Sequence, residues 1–114
     1  MNAVSLIIYS ASDVSKTKKF FTTLLGTEPY ADSPYYVGFK AGETEIGLVP
    51  QGSQPSETGP IAFVTVDDIN ASLETLVASG AEKVQDVRDV AQGLLVATIK
   101  DPNGTIVGLR QFPK

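Results

Sequence analysis

Few side chains in this sequence could carry chemistry, and they are of restricted type. There is no His and no Cys among its 114 residues. Ser–His–Asp and Cys–His nucleophiles, thiolate chemistry, disulfides and His-ligated metals are thereby excluded. Carboxylate, tyrosine and arginine remain. Glu28, Glu43 and Glu45 lie close together in the first half. They are the set that would have to replace imidazole at a divalent metal, and one carboxylate alone would not hold a catalytic ion. Glu45 alternates in phase with Gly47, and Arg110 with Gly108, so each points to the same side of its strand as that glycine. Glu45 reads first as a solvated strand-end residue and Arg110 as a surface strand charge; their second readings are polar groups of a binding site. Tyr9, Tyr35, Tyr36, Phe39 and Phe63 sit on or beside strand-like runs. Such rings either fill a core or stack on a planar ligand, and strand register decides which.

The elements that position these residues follow from periodicity. Val4–Tyr9 is an apolar strand. Ser12 or Asp13 caps a helix whose stripe is Val14, Thr17, Phe21 and Leu24, widened by Phe20 and Leu25. Phe20 and Phe21 read as core there, and Lys16, Lys18 and Lys19 as the solvated side. Gly26 ends the helix. A short strand at 28–31, a strand at 35–40, a turn at 41–43 and a strand at 44–49 follow, then a polar, breaker-rich linker from Pro50 to Pro60. The pattern then restarts. A strand at 61–66 leads to a helix capped by Asp67 or Asp68, built on Ile69, Leu73, Leu76 and Val77 and ended by Gly80. Next come a strand at 82–87, a loop at 88–93, and a hairpin at 94–112 turning on Asp101-Pro102-Asn103-Gly104. Asp13 and Gly26 recur as Asp67 and Gly80 at one common offset, so the chain reads as one domain of two repeated modules, and period and element order alone fit a ferredoxin-like βαβ repeat as well.

Composition bounds the function classes. Hydrophobic residues make up 42% of the chain, which argues for a folded core. The net charge of −4 and the scattered basic residues exclude a nucleic-acid footprint. No apolar run approaches the roughly 20 residues of a membrane span, and the N-terminus does not read as an export signal. The expected location is the cytoplasm.

Three motifs carry a family resemblance: Asp13-Val14 followed by Phe20-Phe21 and Leu24-Leu25-Gly26, then Val66-Asp67-Asp68-Ile69-Asn70-Ala71, then Asp101-Pro102-Asn103-Gly104. In this order and spacing the chain resembles the glyoxalase, bleomycin-resistance and extradiol-dioxygenase superfamily, the vicinal oxygen chelate fold. The resemblance implies an α+β fold of two βαβββ modules, about 1–50 and 61–114, joined by a linker at 51–60. It implies a curved mixed sheet forming a cup with helices outside, and a homodimer that shares the cup. Its four metal-ligand slots fall on Leu6 (or Ser5 in a shifted register), Gly47, Ile61 (or Pro60) and Gly108. None offers a ligand of the usual kind, so no metal, cofactor or catalytic residue is expected.

The expectation is therefore a non-enzymatic binding protein. It would sequester a bulky, aromatic small molecule in a dimer-shared cavity, as the drug-resistance branch does. Tyr9, Tyr35, Tyr36, Phe39, Glu45, Gly47, Phe63, Gly108 and Arg110 would shape the site, with the two glycines leaving space at the cavity floor. The alternative is a divergent glyoxalase or isomerase-type lyase whose metal is held by Glu28, Glu43 or Glu45. A third reading is a structural or protein-partner module.

Overall fold

A computed structural model describes residues 1–55 and 59–114. Part of the expected linker, residues 56–58, lies outside the described residues. The fold is α+β, and two compact units divide it: Ser5–Ile61, and Met1–Val4 with Ala62–Lys114.

The first unit runs β1 (Val4–Ala11), α1 (Val14–Leu25), β2 (Ala31–Asp32), β3 (Val37–Ala41) and β4 (Thr44–Pro50). Asp13 caps α1, its Oδ1 accepting the Lys16 amide at 3.1 Å. Gly26 ends the helix in the left-handed region, at φ 71°. The strands are ordered β2-β3-β4-β1, with β1 parallel to β4 and the rest antiparallel. Directly paired residues share a face. One face therefore carries Ile7, Tyr9, Val37, Phe39, Ile46 and Leu48, and the other Leu6, Ile8, Gly38, Lys40, Glu45 and Gly47. The first set is the core: Val37, Phe39 and Leu48 are fully buried, and Val14, Phe21 and Leu25 of α1 pack on them. Each such side chain contributes about 1.5–3 kcal/mol.

The second unit repeats the plan with β5 (Ile61–Thr65), α2 (Ile69–Ala78), β6 (Glu82–Ala91), β7 (Leu94–Lys100) and β8 (Ile106–Gln111). Its order is β5-β8-β7-β6, with β5 parallel to β8. Asp68 caps α2 through the Ala71 amide, and Gln111 Oε1 accepts the Ile69 amide at 2.8 Å, tying the helix start to β8. Val66, Ile69, Leu73, Ala97, Ile99 and Leu109 form this unit's core. In the β7–β8 turn, Asp101 Oδ1 accepts the amides of Asn103 and Thr105, both at 2.9 Å.

Three expectations change. The first inner strand starts at Ala31 rather than Glu28, with Pro29 ahead of it. β6 continues through the expected loop to Ala91, because Asp89 accepts the Ala91 and Gly93 amides and tightens the turn to Gln92-Gly93. Phe20 is not core: it lies 61% exposed, edge-on to Phe21.

Candidate functional site

The helix-free face of each unit carries the residues that the sequence singles out at its glycines. In the first unit, Gly38 and Gly47 stand directly opposite one another. A Cβ at Gly47 would lie 2.7 Å from the Tyr36 hydroxyl, and one at Gly38 would lie 2.8 Å from Tyr30 Cζ. Two tyrosine rings thus rest flat on a strip of bare backbone, the arrangement known as aromatic rescue of sheet glycines. The Tyr30 hydroxyl donates to Glu45 Oε1. Burial first, and then the Glu45 carboxylate beside it, hold the Tyr30 phenol protonated well above the usual tyrosine range. Lys40, directly opposite Glu45, places its ammonium 5.3 Å from the Tyr30 ring centroid. On the same unit Gln54 Nε2 donates to Ile8 O and Ser10 Oγ, which leaves its buried Oε1 as an unused acceptor among the described residues.

In the second unit the Phe63 ring covers Gly108, its partner in the parallel β5–β8 pair. Arg110 follows two residues on, paired with Thr65 and Val96. It is 4% exposed, with its guanidinium carbon 4.6 Å from the Phe112 ring centroid. Buried Thr98, opposite Gly108, donates to Gln85 Oε1 at 3.2 Å. This face combines one aromatic ring, one buried cation and a polar pair.

Several expectations for the site need correction. Phe39 and Tyr9 point to the helix side: Phe39 is fully buried, and Tyr9 packs on Phe21 at 5.4 Å. The β3–β4 register places Phe39 opposite Ile46, out of phase with Gly47. Tyr35 is in the turn before β3 and is 79% exposed, with its amide on Ser33 Oγ. Gly47 and Gly108 do not open space, because Tyr36 and Phe63 occupy it. Arg110 is buried rather than a surface charge. Sequence reading missed Tyr30 and Gln54. Both lie in irregular segments, where alternation gives no side; the signal for Tyr30 is the facing pair Gly38 and Gly47, which needs a ring to cover it.

The register also resolves the slots in which the resemblance implies metal ligands. Leu6, not Ser5, shares a face with Glu45 and Gly47, and Ile61, not Pro60, is in phase with Phe63. Leu6, Gly47, Ile61 and Gly108 have no donor side chain, and Glu45 is already engaged by Tyr30. Among the described residues no three Asp or Glu side chains gather where they could hold an ion. These residues do not fit a metal centre of that kind.

The profile of the Glyoxalase/Bleomycin resistance protein/Dioxygenase superfamily matches residues 4–109. Two curated relatives, both called "Putative glyoxylase CFP32", come from Mycobacterium bovis and Mycobacterium tuberculosis. Each is 30% identical over 110 residues, covering 88% of this chain and 42% of the relative. The chain thus spans less than half the length of these relatives. Among solved structures, methylmalonyl-CoA epimerase from Mycobacterium tuberculosis superposes with a TM-score of 0.78 at 14% identity, over 97% of this chain and 88% of that one. A glyoxalase/bleomycin resistance protein/dioxygenase superfamily member from Vibrio splendidus 12B01 gives 0.72 at 16%, over 97% and 99%. At such identities the likeness is one of fold. No helix among the described residues is long and apolar enough to cross a membrane.

Proposed function

Because the chain belongs to the glyoxalase, bleomycin resistance protein and dioxygenase superfamily, we propose that it is a metal-independent binding protein. Its ligand is a planar, aromatic small molecule, held on a helix-free face and sequestered rather than transformed. The observation that carries this reading is the pairing of ring with glycine. Where the family resemblance implies metal ligands, Tyr36 lies over Gly47 and Phe63 over Gly108, with Leu6 and Ile61 beside them on their strands. Such surfaces bind by apolar burial and stacking. The polar groups then select the ligand. The Glu45 carboxylate, fixed by Tyr30, and the Gln54 carbonyl accept hydrogen bonds from a donor on the ligand rim. Arg110, backed by Phe112, faces a carbonyl or anionic group. Pairing of two copies, with the cavity shared between them, and removal of a toxic drug are the assembly and role that fit such a site.

The test combines metal and ligand response on the purified protein. Elemental analysis is run beside thermal melts with excess Zn²⁺, Ni²⁺, Mn²⁺ or Fe²⁺, then with a panel of planar aromatic compounds. A ligand at 100 times its Kd adds about 2.7 kcal/mol to folding stability, a shift of about 10 °C or more for a domain of this size. The chain has no Trp, so its emission comes from four tyrosines, of which Tyr30 and Tyr36 lie on the helix-free face and Tyr9 on the helix side. The expected result is no metal, no metal-induced shift, and dose-dependent stabilisation by a subset of compounds that is lost in Tyr36→Ala. Stoichiometric metal that disappears in Glu45→Ala would overturn the proposal in favour of a carboxylate-ligated enzyme.

A further inference from the structure

Two surfaces outside the helix-free faces are apolar, exposed and opposite in charge. The first is the outer side of α1. Phe20 and Leu24, one turn apart, are 61% and 63% exposed. Lys16, one turn before Phe20, and Lys19 flank them, and neither enters an ion pair among the described residues; the lysine that does is Lys18, bound to Asp32 at 2.5 Å. The stripe is apolar and cationic.

The second surface is a groove of about 670 Å³ between α2 and β6. Leu73, Val77 and Ala81 line its floor, and Glu74, Glu82 and Asp86 stand at its rim. Lys83 is the one cation lining it, and Asp86 binds it at 3.1 Å. Glu82 is paired in turn with Lys100 at 3.5 Å, which leaves Glu74 as the rim carboxylate without an ion pair among the described residues. Leu73 and Val77 are spaced by one helical turn, as Phe20 and Leu24 are.

We propose that one copy of this chain docks the Phe20–Leu24 stripe of α1 into the α2/β6 groove of a second copy. Apolar ridge meets apolar floor at matching spacing, and Lys16 and Lys19 face Glu74, the rim carboxylate that has no lysine of its own. Charge complementarity selects this pairing. Two α1 stripes face to face would bring Lys16 and Lys19 of both copies together, and two grooves would bring the unpaired Glu74 of each copy together; both cost free energy. The contact is heterologous, so an open row of copies keeps a free stripe at one end and a free groove at the other until a ring closes, and association grows with concentration. A single helix face buries little area, which places the affinity in the micromolar to millimolar range.

The test is sedimentation velocity on the full chain across that concentration range, with folding checked by circular dichroism. The chain is expected to associate beyond the state shared by all variants. Phe20→Asp with Leu24→Asp should weaken that step about tenfold or more, as should Val77→Asp alone. All three positions are exposed, so the folds should survive. Lys19→Glu and Glu74→Lys should each weaken the step, and the double variant should recover it. A stripe-broken chain mixed with a groove-broken chain should restore one junction and stop there. Association that is absent, or that responds to the stripe variants and not to Val77→Asp and Glu74→Lys, would overturn the proposal.

Discussion

The Phe63 ring lies across Gly108, its directly paired neighbour in the β5–β8 ladder, closer than a Cβ at that position would allow. The glycine is there for the ring. Phe63 is only 6% exposed, and a Cβ at Gly108 would clash with its ring, so Gly108→Ala should destabilise the fold by about 2–3 kcal/mol, as overpacking does. Gly47→Ala meets the Tyr36 hydroxyl at 2.7 Å, at the far end of a half-buried side chain, and should cost about 1–2 kcal/mol. Gly38→Ala meets the ring of Tyr30, which is half exposed and can yield at the loss of its Glu45 hydrogen bond, so its cost should be the smallest. Urea denaturation ranks the three, and a neutral Gly108→Ala would remove the packing argument.

Tyr30 should titrate apart from the other tyrosines. Its phenol is held protonated by burial and then by the Glu45 carboxylate. A raised folded-state pKa means the folded chain keeps the proton longer than the unfolded one. The associated stability is fully present below the ordinary tyrosine value near 10 and is lost as pH rises above it. Ultraviolet difference titration of the folded chain should show a late component that is absent in Tyr30→Phe. Glu45→Gln should move that component back toward the ordinary range. A single common transition for all four would contradict the Tyr30–Glu45 bond.

The β6–β7 turn should respond to two substitutions in opposite directions. Asp89 accepts the Ala91 amide at 3.0 Å and the Gly93 amide at 2.8 Å. Asp89→Ala removes both bonds at an exposed site and should cost about 1–2 kcal/mol. Gln92 has φ 46° and Gly93 has φ 96°, the paired left-handed geometry that favours Asn-Gly. Gln92→Asn should therefore stabilise by about 0.5–1 kcal/mol. Thermal melts of the two single variants check both signs.

The repeat, the helices and their caps are legible in the sequence because they rest on local rules. An Asp three residues before the amide it caps, a left-handed glycine after the last turn, and an apolar stripe all lie within a few positions of one another. Face assignment is not local. Whether Phe39 points to α1 or away from it depends on pairing with Ile46 across a turn, and one residue of slip reverses it. Gly47 and Gly108 are found by alternation as residues of the helix-free faces, but what covers them is not. The covering ring at Gly47 comes from a residue next to a strand, and Tyr30, the ring over Gly38, lies in a segment with no period to read. Arg110 looks like a surface charge because charged strand residues generally are; in the fold it is buried, with the Phe112 ring from beyond the strand end stacked on its guanidinium.

In each unit the first strand is the parallel neighbour of the last, Leu6 beside Glu45 and Phe63 beside Gly108. Antiparallel neighbours such as β7 and β8 are joined by a short turn and can pair early, whereas closing a parallel pair means paying loop entropy across almost the whole module. Contact order thus favours pairing of the meander before β1 and β5 join it. Leu6 and Phe63, which bring the apolar side chains of the slot strands, are then expected to show φ-values near zero in folding kinetics, and values near one would reverse that order. On that order the helix-free faces complete late, and their opening is expected to need less than global unfolding.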